Sequence, residues 1–297
     1  MAEKSNFDFA MERRLREMDP ALHRNFTNAV FALQNILSSY KQLFPLFTDH
    51  TELHTLTVID FCNRLIGDQI ERMNADEIYS LLMGCYFHDV GMGISQRDYE
   101  AFSRMLPFDD HFKSHDEGDL PKIIRDYHNE LSGLFIRKYA EFFEIPSPAH
   151  LQAIVQIARG HRKTRLTNET EYPLAMPMPN GNTVCLPYLA ALIRLADEID
   201  VASARDSILL YDIESIVEEN AMMFHKTLNG VRHLIVSEKA FTMLIDTDEQ
   251  EVLESLQRVA AKMQETLDSC RKAVLGRTPY VITQERVEIR PVGAINA

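Results

Sequence analysis

Leu81-Leu-Met-Gly-Cys-Tyr-Phe-His-Asp-Val-Gly-Met-Gly93 is the stretch on which the reading of this chain turns. Ile78, Leu81, Leu82 and Cys85 recur at the three- and four-residue spacing of one helix face. His88 and Asp89 extend that face by three and four residues. A helix that carries an Asp toward its buried side must satisfy it, because a carboxylate taken out of water is costly unless it is paired or bound to a metal.

The same pattern recurs along the chain. His54 shares a stripe with Val58, Phe61, Cys62 and Leu65, and His128 falls between Ile124, Leu131 and Phe135. His161 follows Ile154, Ile157 and Ala158, and Asp197 continues Leu189, Leu192, Ile193 and Ala196. A lone buried His is more often a satisfied core residue than a ligand. Several on separate helices would each need their own partner, whereas a single cation cluster ringed by helices satisfies them together. Imidazole nitrogen and carboxylate oxygen suit Mn, Fe, Ni, Zn or Mg, and the lack of nearby Cys argues against a structural zinc site.

Helical periodicity predicts helices near Phe26–Phe44, Leu53–Ile66, Ala75–His88, Lys122–Phe143, Ala149–Gly160 and Tyr188–Val201. Ser95–Leu120 is polar and acidic and reads as an insertion or lid, in which His111 and His115 read as surface histidines. Asn180-Gly181 signals a small hairpin. Beyond Leu210 the character changes. VRHLIVSEKAFTMLI favours strands, a helix spans about Glu249–Leu275, and PYVITQERVEIR alternates like a last strand. The expected fold is mainly α: a helical domain over 1–210 with a small α+β extension over 211–297 packed on it.

The chain has 297 residues, 31 Lys plus Arg and 44 Asp plus Glu, for a net charge of −13. Such a field disfavours duplex nucleic acid and anionic membranes as partners. The longest apolar run, near Pro187–Ala196, is far shorter than the ~18 residues of a membrane span. The first residues carry no apolar core of a secretory signal. Cys62, Cys85, Cys185 and Cys270 are widely spaced and read as buried, reduced thiols of a cytoplasmic protein. The chain also reads as one that could be part of a longer multidomain protein.

The segments DHTELHTLTV, LLMGCYFHDVGMG, RDYHNELSG, IARGHRK and LAALIRLADEID together resemble the HD-domain metal-dependent phosphohydrolases over about Thr48–Ala204. YHNELSG, GHRK and the Val231–Arg290 tail most resemble the bacterial HD domains associated with GHKL-type ATPase modules. The resemblance implies an HD-type helical bundle. It makes His54, His88, Asp89 and Asp197 the ligands of one divalent metal, with His50 the rival of His54 for the first position. It makes His128 and His161 the extra ligands of a second metal, bridged by Asp89. It further implies a metal-activated water that attacks a phosphate mono- or diester, with small, nucleotide-like molecules as substrates. Activity should then fail in mild acid, since each ligating His must be neutral. Arg162, Lys163 and Arg165 serve either as a clamp for substrate phosphates or as a solvated turn; Arg162 and Lys163 join Asp89 as the catalytic candidates. Arg194 is expected to pair with Asp197 or Asp200. Glu130 and Ser132 are candidates for orienting ligands, and Met92 reads as core. Where cyclic-dinucleotide phosphodiesterases of the superfamily carry a Lys after HDxG, this chain has Met92, so the resemblance does not imply that activity. The alternative is a non-catalytic nucleotide-sensing or interaction module that partners an ATPase domain and whose metal is structural.

Overall fold

Asn74 accepts a hydrogen bond from the Glu77 N–H (3.0 Å), and the Glu77 carboxylate accepts one from the Asn74 N–H (3.2 Å). This reciprocal cap starts α4, Ala75–Phe87, every residue of which is buried. A helix that is apolar nearly all round belongs at the centre of a bundle. Around it pack α1 (Ala10–Met18), α2 (Pro20–Leu37), α3 (Glu52–Ile66), α7 (Pro148–Gly160) and α8 (Leu186–Ile199). The structure, a computed structural model, describes residues 9–37, 52–106, 120–201, 226–227 and 229–295. Gly84 lets α7 lie close against α4, since a Cβ there would stand 2.5 Å from Ile157 Cγ2.

Several boundaries differ from the expected ones. The first predicted helix begins already at Pro20 and is preceded by α1, in which only Met11 and Leu15 are buried. Its larger apolar residues, Met11, Leu15 and Met18, stand among five charged ones, so the stretch reads as polar. The polar stretch from Ser95 starts as part of the body: α5 (Gln96–Phe102) buries Phe102 and Asp98. Lys138 and the Tyr139 hydroxyl, at the end of α6 (Leu120–Lys138), bind the Asp98 carboxylate. Residues 107–119 of the supposed lid, His111 and His115 among them, lie outside the described residues, as does His50. α6 stops at Lys138 rather than running to Phe143; hydrogen-bonded turns follow and close at Glu144, where φ is +50°.

β1 (Met176–Pro177) and β2 (Thr183–Val184) form the expected hairpin, with Gly181 at φ +88° in its loop. In the tail, β3 (Val231–Val236) pairs antiparallel with β4 (Ala240–Ile245). α9 (Gln250–Val274) then crosses over, and β5 (Arg286–Pro291) returns parallel to β4. A parallel return needs such a crossover. Val252, Leu256, Met263, Leu267, Cys270 and Val274 make the buried stripe of α9, which lies along α8; each such side chain contributes about 1.5–3 kcal/mol of burial free energy.

The tail is fastened to the bundle by specific contacts. Tyr280 stacks on Tyr188 of α8 (4.3 Å, 11°), and its hydroxyl donates to the buried Glu77 carboxylate (2.6 Å). Gln69 donates to the Val281 carbonyl and accepts from its N–H, and Lys262 pairs with Glu198 at 2.8 Å. The architecture is therefore a mainly helical bundle with a small C-terminal α+β extension. The expected division at 210/211 falls outside the described residues. All four cysteines are free and buried. No helix among the described residues is long and apolar enough to cross a membrane.

Candidate metal centre

Near helix C-termini, backbone carbonyls are left without helical partners and can accept from side chains. His88 follows α4 and His161 follows α7 as C-caps. Each donates its ring Nδ1–H to the carbonyl three residues earlier: Cys85 at 2.7 Å and Ala158 at 2.6 Å. His128, within α6, does the same with Arg125 at 2.6 Å. His54 stands in the first turn of α3, and its Nδ1–H meets the Asp200 carboxylate at 2.7 Å. An oxygen acceptor at Nδ1 keeps the proton there, so in each neutral ring Nε2 presents a lone pair.

Those four nitrogens converge in two pairs. His54 Nε2 lies 3.2 Å from His88 Nε2, and His128 Nε2 lies 2.8 Å from His161 Nε2. Asp89 stands between the pairs. Its Oδ2 is 3.3 Å from His88 Nε2 and 3.6 Å from His54 Nε2, while its Oδ1 is 3.2 Å from His128 Nε2 and 3.6 Å from His161 Nε2. Asp197 Oδ1 joins the first pair, 3.3 Å from His54 Nε2 and 3.9 Å from His88 Nε2. Lone pairs facing each other at these distances repel, and a cation between them turns the repulsion into ligation. His54, His88 and Asp89, and again Asp89, His128 and His161, offer donor atoms within 4.8 Å of one another. This set of imidazole nitrogens and carboxylate oxygens fits a divalent metal.

The electrostatics agree. Burial alone would lower the His54 pKa, but its hydrogen bonds to Asp197 and Asp200 outweigh that and hold it well above the ordinary imidazole value. His88 is likewise raised, chiefly by Asp89 against the opposing effect of burial. Burial, with the neighbouring His128 and His88, pushes His161 well below the ordinary value. Burial would raise Asp197, yet the His54 hydrogen bond and the nearby imidazoles hold it far below the carboxylate range. The carboxylates thus attract positive charge, which a proton or a metal ion can supply. Among these residues only Asp197 keeps appreciable exposure, 23% of its side chain, so solvent reaches the cluster from that side.

The surroundings fix the ligands in place. The Ser132 hydroxyl donates to the His88 carbonyl (2.7 Å) and accepts from the Gly91 N–H (2.9 Å), tying the turn after Asp89 to α6. Gly91 is required there, because a Cβ would stand 2.2 Å from the His128 carbonyl oxygen. Glu130 forms a two-point bridge with Arg159, at 2.9 Å for both contacts, and joins α6 to α7 instead of touching a ligand. Arg194 also departs from expectation: it binds the Gly160 and Thr164 carbonyls, not Asp197 or Asp200. Arg162 donates to the Arg125 carbonyl (3.3 Å). Lys163 turns to the Asp126 carbonyl (2.8 Å) and lies over the Tyr127 ring. Met92 is buried, as expected of core.

Asp200 is the residue that sequence reasoning did not select. Its signal was its place three residues after Asp197, at the C-cap of α8. Its partner His54 lies far away along the chain, on α3, and no spacing rule reaches it.

A protein-family model described as HD-CE matches residues 44–294. No curated protein and no solved structure matches the chain. The family match spans most of the sequence and contains every residue of the cluster. The chain belongs to the HD-CE family, an HD-type domain whose His/Asp clusters are those of a metal-dependent phosphohydrolase.

Proposed function

We propose that this phosphohydrolase acts on a small, nucleotide-like phosphate mono- or diester, with His54, His88, Asp89 and Asp197 holding one cation and Asp89, His128 and His161 a second. The observation that carries this reading is the division of Asp89, whose two carboxylate oxygens face different imidazole pairs. Divalent cations at such a centre acidify water and take up negative charge from phosphoryl oxygens. The chain's own residues do the rest. The carbonyls of Cys85, Arg125 and Ala158, with the Asp200 carboxylate, hold the Nδ1 protons and so keep every Nε2 aimed inward. Ser132 keeps the Asp89 turn against α6. Asp197, at the accessible edge, is where we expect the ester to enter.

Arg162 and Lys163 are the phosphate-side cations in this reading, for which Lys163 exchanges its contact with Asp126 for the substrate. The net charge of −13 supports a small substrate over a long duplex, because local cations, not the overall field, would attract it. The likeness of YHNELSG, GHRK and the tail to HD domains of GHKL-type systems supports an ATPase module as partner, in the cytoplasm. We also retain the division into a 1–210 domain and a 211–297 extension.

The test is elemental analysis of the purified chain, followed by hydrolysis assays on nucleotides, cyclic dinucleotides and simple phosphate esters with Mn, Ni, Fe or Mg. Asp89→Ala should remove metal and turnover together, with a loss on the order of 10³-fold or more. A metal-free Asp89→Ala chain that remains fully active would sink the reading. Tight nucleotide binding without turnover by the metal-loaded wild type would favour a sensing module.

A further inference from the structure

On α6, Arg125 stands one turn before His128, and its carbonyl accepts the His128 Nδ1–H at 2.6 Å. The same oxygen accepts from the guanidinium of Arg162, which directly follows His161, at 3.3 Å. Burial lowers the Arg125 pKa, and so does the charge of Arg162, with Asp126 opposing them. Asp126 itself lies 3.7 Å from Lys163 Nζ. Two guanidinium groups are thus gathered beside the His128–His161 pair. Like charges brought together repel, and an anion between them turns that repulsion into attraction. The planar fork of an Arg fits phosphate oxygens two at a time.

The turn that carries Arg162 is held from two sides. Asn129 donates to the Arg162 carbonyl (3.3 Å), and Arg194 donates to the Gly160 and Thr164 carbonyls (2.7 and 2.8 Å). Within it Lys163 takes φ +54°, a conformation that few residues other than glycine adopt. A cation fixed before its ligand arrives loses little freedom on binding. The His128 ring alone separates the shared Arg125 carbonyl from Asp89 Oδ1, which is 3.2 Å from its Nε2. Two linked phosphates can cover that span.

We propose that Arg125 and Arg162 form a subsite for a second phosphate, next to the one attacked at the metal centre. The substrates are then esters in which two phosphates are neighbours, as in a nucleoside di- or triphosphate, rather than monophosphates. Arg125, exposed at the rim, closes on the second phosphate from α6, and Arg162 meets it from the held turn. The inference rests on the phosphohydrolase reading and narrows its substrate class.

The experiment is calorimetry on the manganese-loaded full chain with two non-hydrolysable probes, methylphosphonate and methylene diphosphonate. Wild type, Arg125→Gln and Arg125→Lys are compared, and turnover of p-nitrophenyl phosphate and of a nucleoside mono- and triphosphate is measured in parallel. Wild type should bind the diphosphonate at least about tenfold tighter than the methylphosphonate. Arg125→Gln should weaken the diphosphonate by about tenfold or more, bring that ratio toward one, and lower kcat/KM for the triphosphate chiefly through KM. Arg125→Lys, which keeps the charge and loses the fork, should fall between the two. A wild type that binds both probes alike, or an Arg125→Gln chain with an unaltered ratio, overturns the inference. If Arg125→Gln does not fold, Arg125→Lys decides by the same ratio. A chain that hydrolyses none of the three esters sinks the phosphohydrolase reading instead, and the calorimetric ratio still decides the subsite.

Discussion

At the N-terminal end of α4, Asp76 and His150 bury a carboxylate beside an imidazole, and just past its C-terminal end Asp89 and His88 do so again. At the first end every polar group has a protein partner. His150 Nε2–H donates to Asp76 Oδ1 (2.9 Å), and His150 Nδ1 accepts from the Ser147 hydroxyl (2.8 Å). Asp76 Oδ2 accepts from the side-chain amides of Asn180 (2.9 Å) and Asn182 (2.7 Å) in the β1–β2 loop. At the second end the donors are used up at Nδ1, and what converges is lone pairs and carboxylate oxygens. Burial and residue type are alike at the two ends. The donor count differs, and it separates a tie that holds the fold from a centre that requires a cation.

Substitutions at the two ends should therefore fail differently. Whereas Asp89→Ala is expected to lose metal and turnover, Asp76→Ala should unfold the chain more easily while the surviving folded protein still binds metal. Removing one partner of a buried pair costs about 3–5 kcal/mol, which for a chain of this length lowers Tm by roughly 10 °C. Differential scanning calorimetry with parallel metal analysis checks both halves of this statement; metal loss without destabilisation would erase the distinction.

Acid should act on the first end with a defined sign. Burial would raise the Asp76 pKa, but hydrogen bonds from His150, Asn180 and Asn182 bring it down to about 2. A depressed carboxylate stabilises the fold fully above its unfolded pKa and loses that contribution as pH falls through the folded value. The window is therefore roughly pH 4 to 2, and the contribution is about 2 kcal/mol. Denaturant melts of wild type and Asp76→Asn should show their stability difference shrinking by that amount across the window. A constant difference would mean that the partners do not favour the ionised form.

The smallest effect is expected at Ser147, which caps α7 by accepting from the His150 N–H (3.2 Å) while donating to the His150 ring. Ser147→Ala should cost about 1 kcal/mol and leave manganese affinity unchanged. A shift in that affinity would couple the two ends of α4, which lie at opposite ends of the helix.

Much of this was legible in the sequence. The three- and four-residue spacing placed His54, His88, Asp89, His128, His161 and Asp197 on inward helix faces, and the structure brings all of them together. α1 escaped because its few apolar residues stand among five charged ones. α5 escaped because a short helix inside an acidic stretch reads as loop. Asp76 also drew no notice, since an acid in the first turn of a helix is ordinary where it complements the helix dipole.

By itself the sequence determined which faces of the helices are apolar and which His and Asp residues those faces carry inward, because periodicity is a local property of the chain. Only the tertiary structure decided which ring nitrogen holds its proton, which oxygen of Asp89 faces which pair, and that Asp200 rather than a carbonyl stands behind His54. Spacing fixes the face of a side chain, but a hydrogen bond needs a partner atom within about 3 Å, and those partners come from helices far apart in sequence.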